Sequence, residues 1–231
     1  MKNLKNGFTL AEVLITLGVI GVVAAMTIPT LIANINGQRY RSQFKKTLST
    51  LNQAGRMAQA QYDFSFADID VQGWRQTKEE IEKANPETEK SLAAILNGTI
   101  TGITYIIHNA TSDAPYKQIN ATLTKNTLIG DYDGWLLPDG ALVMFSVGID
   151  GYCDNLDERC EGFIDVNGIS LPNKEVSCSS GETKTIWNED YEECVVKNNA
   201  NDMTDIFPIV IYKNQVIPAT NAAKYVLDTT K

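Results

Sequence analysis

Residues 8–33, FTLAEVLITLGVIGVVAAMTIPTLIA, are almost wholly apolar and carry one charge, Glu12. At 1.5 Å rise per residue, such a run reaches roughly 39 Å as a helix, more than the roughly 30 Å of a bilayer's hydrocarbon core. Apolar on every side, it calls for lipid or for other helices of the same kind. A short polar leader, residues 1–7, precedes it with Lys2 and Lys5.

The carboxylate of Glu12 is the anomaly in this run. Insertion of such a group into hydrocarbon costs about 2.5–3.5 kcal/mol, so it calls for a partner. Residues 8–33 contain no Lys or Arg to supply one. A cut between Gly7 and Phe8 would create an α-amino group four residues before Glu12. The ammonium of a neighbouring copy would then neutralise the carboxylate and set the register between subunits. Two other readings compete. An ordinary secretory signal would use Lys2 and Lys5 as its basic end and Val23-Ala24-Ala25 as its cut site, but a charge inside the apolar region opposes it. An uncut single-span anchor would let Glu12 snorkel to the interface.

The run Gly7-Phe8-Thr9-Leu10-Ala11-Glu12 resembles the processing motif of type IV pilins and type II secretion pseudopilins. The resemblance implies that a prepilin peptidase cuts after Gly7 and methylates Phe8, and that Glu12 is the assembly carboxylate. Gly21 and Pro29 match positions where such helices loosen in filaments. The resemblance is specific over about the first 35 residues. It implies an α+β, pilin-like fold: a long N-terminal helix, membrane-spanning then amphipathic, laid across a small antiparallel sheet. Its partners would be prepilin peptidase, other subunits, the inner-membrane assembly platform and the membrane. The expected organisation is a leader at 1–7, a membrane or filament-core helix at 8–35, and an exported domain at 36–231 that includes the second half of the helix to about residue 62.

The chain has 231 residues and a net charge of −8. Removing Lys2 and Lys5 leaves 18 basic and 28 acidic residues, or −10. So acidic a domain is a poor non-specific binder of nucleic acid. All four cysteines lie in the C-terminal third. In an exported region they suggest disulfides, with three possible pairings. Pairing neighbours in sequence, Cys153–Cys160 and Cys178–Cys194, would staple successive loops. Zinc fits less well, since there is no C-x-x-C and the single histidine is distant.

Beyond residue 36, Tyr40, Phe44, Leu48, Leu51, Gly55, Ala58 and Tyr62 recur at helical steps, with Arg41, Lys45, Lys46, Gln53 and Arg56 between them. The helix is expected to bend or melt locally near Gly21–Pro29, because Pro29 cannot donate to the carbonyl of Ala25. A break at Asn36-Gly37 is the alternative. Short helices are expected over 78–83 and 91–96, and a strand over 100–108. Hairpins are expected around Pro138-Asp139-Gly140 and Lys213-Asn214. A terminal helix is expected over 219–227. Asn97, Asn109 and Asn120 head Asn-x-Ser/Thr triplets and read as polar loop residues.

Residues 150–172 gather acids among glycines, and Asp154, Asp157, Asp165 and Asn167 are weak calcium candidates. The full twelve-residue calcium pattern is absent, and a solvated acidic loop held by cysteines is the simpler reading. His108 falls in the expected strand, and there is no nucleophile elbow, zinc-protease helix or phosphate loop, so no enzyme and no cofactor are expected. The function expected is that of a structural filament subunit. A membrane-anchored binding module and a secreted protein remain open alternatives.

Overall fold

A computed structural model describes residues 8–69, 77–107, 132–146, 160–170, 172–187, 194–197 and 203–229. It is α+β. A 53-residue helix, α1 (Leu10–Tyr62), precedes a 3-10 turn (Phe66–Asp68), α2 (Lys78–Lys83) and α3 (Leu92–Thr99). The strands follow: β1 (Thr104–Ile107), β2 (Tyr132–Leu136), β3 (Leu142–Ser146), β4 (Cys160–Asp165), β5 (Ile206–Tyr212) and β6 (Gln215–Pro218). A final helix, α4 (Asn221–Thr229), closes the chain. The six strands form one antiparallel meander in sequence order.

α1 runs unbroken through Gly21, Pro29 and Asn36-Gly37, so the alternative of two helices does not hold. Its second half lies on the sheet. Phe44 stacks on Phe207 of β5 at 4.4 Å between ring centroids, and Leu48, Leu51 and Ala58 are buried in the same core. The register places Trp135, Val143, Ile164 and Phe207 in one row across four strands, all buried with α1 in that core. The opposite rows, with Leu142, Met144, Phe163 and Val210, are buried as well.

Polar contacts fix the helix along the sheet edge. Asn52 Nδ2 donates to the Val216 carbonyl at 2.8 Å, and the Val216 N–H donates to Asn52 Oδ1 at 2.9 Å. The side-chain amide thus pairs with β6 as a further strand would, covering an edge otherwise open to association. Lys46 meets Asp139 of the β2–β3 turn at 3.0 Å. Gly55 lets the 3-10 turn approach: a Cβ there would overlap the Phe66 ring. Gly55→Ala should therefore destabilise the chain by about 1–3 kcal/mol, read as a lower urea midpoint.

Both expected hairpins form. Gly140 takes φ 87° in the first turn and Lys213 φ 55° in the second. Three expectations need correction. Residues 160–165 are not solvated loop but the strand β4, paired on both sides, with Phe163 and Ile164 buried. α3 continues past Asn97-Gly98 to Thr99, and Asn97 is helical rather than a loop residue. Its amide donates to the carbonyls of Ile81 and Ala84, closing the end of α2. The 100–108 strand is shorter than expected, Thr104–Ile107. Asn109, Asn120 and His108 lie outside the described residues.

Candidate functional site

Over its first half α1 is exposed, making almost no contact with the other described residues. Leu10, Leu14, Leu17, Ile20, Met26 and Leu31 are all exposed, and an 18-residue window has mean hydropathy 2.2 with none of it buried. This is one helix long and apolar enough to cross a membrane. The transition from exposed apolar helix to packed helix falls near Tyr40 and Arg41, where the Arg41 guanidinium donates to the Val196 carbonyl at 3.2 Å.

At the start of α1 the sequence Thr9-Leu10-Ala11-Glu12 folds into a capping box. The Glu12 N–H donates to Thr9 Oγ1 at 3.2 Å. Glu12 Oε2 accepts from the Thr9 N–H and the Thr9 hydroxyl, both at 2.8 Å. The box satisfies helix N–H groups that otherwise lack partners. Glu12 thus has a local partner that a search for Lys and Arg overlooked. Both bonds use Oε2. Phe8, the residue after the expected cut, is fully accessible at 89%. Gly7 lies outside the described residues.

Of the cysteines, Cys178 and Cys194 form a disulfide as expected. The Ser179 N–H and hydroxyl both donate to the Val195 carbonyl beside it. Cys160 is disulfide-bonded; its expected partner Cys153 lies outside the described residues. The Cys178–Cys194 bridge spans 16 residues, a loop for which closure entropy is worth about 3 kcal/mol. Cys178→Ser together with Cys194→Ser should lower unfolding stability by about that amount, measured by urea denaturation under non-reducing conditions.

Of the calcium candidates, Asp154 and Asp157 lie outside the described residues. Asp165 ends β4 and Asn167 follows in the turn; both sit beside Asp205, which sequence reasoning missed. Asp205 accepts from the backbone N–H groups of Asn173 at 2.9 Å and Lys174 at 2.6 Å. The Asn167 N–H donates to Asp165 at 3.1 Å. Both aspartates are fully buried. Burial and the neighbouring Asp205 push Asp165 up to about 8, and burial raises Asp205 against the pull of its N–H donors. The pair therefore holds a proton near neutral pH. No group of three or more His, Cys, Asp or Glu converges to hold a metal among the described residues.

Residues 2–28 match the family model of the prokaryotic N-terminal methylation motif. This is the signature of type IV pilins and pseudopilins, and it supports a pilin-like or pseudopilin-like precursor. The motif implies processing by prepilin peptidase and assembly with other pilin subunits in general. No curated protein and no solved structure matches the chain.

Proposed function

We propose that this chain is a structural subunit, a pilin or pseudopilin, of a type IV filament or a type II secretion pseudopilus. The observation that supports it best is the two-part α1: exposed and apolar over its first half, packed on the sheet over its second. A helix so built can exchange lipid for other copies of itself while its domain stays folded outside.

On this reading the chain sits in the inner membrane with its C-terminal domain extracytoplasmic. Prepilin peptidase cuts between Gly7 and Phe8 and methylates Phe8. The assembly platform then moves the subunit into a helical bundle, periplasmic or at the cell surface. There Glu12 meets the Phe8 ammonium of a neighbour, and Gly21 and Pro29 give the helix room to loosen. The chain performs no catalysis of its own.

Deleting the prepilin peptidase from the producing cell tests this. The chain should then keep residues 1–7, remain in the membrane fraction and yield no sheared filaments. Filaments forming without the peptidase would contradict the proposal.

A further inference from the structure

α1, the β5–β6 turn and the end of α4 enclose a groove of about 660 Å³. Three cations line it, Lys45, Arg56 and Lys213, with three carboxamides, Asn52, Asn214 and Gln215. Among the described residues that line it there is no Asp or Glu, although acids outnumber bases 28 to 20 in the chain. The framework is fixed. Asn52 is tied to both Val216 main-chain groups, and its carbonyl accepts from Arg56 Nε at 3.2 Å. Asn214 Oδ1 lies 3.0 Å from Ser65 Oγ. The Lys213 ammonium stands 5.1 Å over the Tyr212 ring. The volume falls within the roughly 300–1,000 Å³ of concave binding sites, room for a few side chains rather than a domain.

A donor-lined, cation-rich groove fits a segment of closely spaced carboxylates. The chain holds one such segment unmixed with bases: residues 189–193, Glu-Asp-Tyr-Glu-Glu, four carboxylates in five positions. Cys194, which follows directly, is anchored by its disulfide to Cys178. We propose that the groove of one copy receives residues 189–193 of a second copy. This rests on the reading of the chain as a subunit that meets its own kind, and it adds a contact between exported domains to the one between helices.

The test uses the full chain in membranes of the producing cell, with a photo-cross-linking benzophenone residue in place of Ser49 on the groove wall. Isotopically light and heavy copies are mixed before illumination. The expected result is a mixed light–heavy cross-link to the peptide holding 189–193. Arg56→Glu with Lys213→Glu should lower its yield roughly tenfold or more, and Glu189→Lys with Glu192→Lys in the partner should restore it. Should the reversed groove fail to fold, the wild-type yield is followed as ionic strength rises from about 0.05 M to about 0.5 M. A fall supports the contact and a flat response overturns it. Cross-links confined to one copy, or to other peptides, also overturn it. Filaments at wild-type yield without the cross-link would sink the groove contact alone. The cross-link in a chain that keeps Met1 would sink the filament reading alone.

Discussion

Replacing Glu12 by glutamine should stop assembly and leave membrane insertion intact. The choice of glutamine matters because Glu12 has two possible duties. In the capping box its Oε2 accepts from Thr9, and a glutamine oxygen can do the same. A charge pair with a neighbour's ammonium needs the carboxylate itself. An unpaired ammonium left in an apolar bundle costs about 2.5–3.5 kcal/mol per subunit, or roughly 60- to 300-fold in the association constant. Repeated along a polymer, that loss removes filaments altogether. The checks are sheared-filament yield and membrane fractionation, with Thr9→Ala as the control that removes the hydroxyl's part of the cap but keeps the charge. Wild-type filament yield from Glu12→Gln would reduce Glu12 to a cap.

The second large effect is on stability against pH. Asp165 has its folded pKa raised from 3.8 to about 8 by burial and by Asp205. The folded chain therefore binds more protons there than the unfolded chain. Its contribution is fully favourable below about pH 4 and is lost as pH rises through about 8. The loss across that window is on the order of 5 kcal/mol. Asp68 works in the opposite sense: N–H and hydroxyl donation from Ser65 lowers its pKa, so its contribution is present at neutral pH and lost in acid. Asp165→Asn can still accept from the Asn167 N–H and carries no charge to bury. Urea unfolding from about pH 5 to about pH 9 should show the wild type weakening more steeply than the variant, which keeps only the dependence that buried Asp205 brings. Parallel curves would mean that the folded chain does not hold the Asp165 proton to higher pH.

Much of this architecture is legible in the sequence where local chemistry decides the outcome. The apolar run and the stripe from Tyr40 to Tyr62 announce α1, and the Pro138-Asp139-Gly140 and Lys213-Asn214 turns announce two hairpins. β4 was hidden because Cys160, Glu161 and Asp165 make it look like loop; only pairing with β3 and β5 on either side reveals it. Asp205 was hidden for a related reason. It meets Asp165 across forty positions of chain, through β4–β5 pairing that no local pattern signals. Thr9 was legible as the first residue of a capping box. Reading Glu12 purely as a buried charge passed over it. Asn97 looked like a loop residue by composition, yet tertiary contacts with the end of α2 hold it in a helix.

The most direct measurement is the mass of the N-terminal peptide of the chain purified from its native host. If the exposed apolar helix exists to be packed into a filament, that peptide begins at Phe8 and carries one methyl group on its α-nitrogen. A peptide that retains Met1 would describe a plain anchor, one that begins at Met26 would describe a secreted protein, and either would contradict the account.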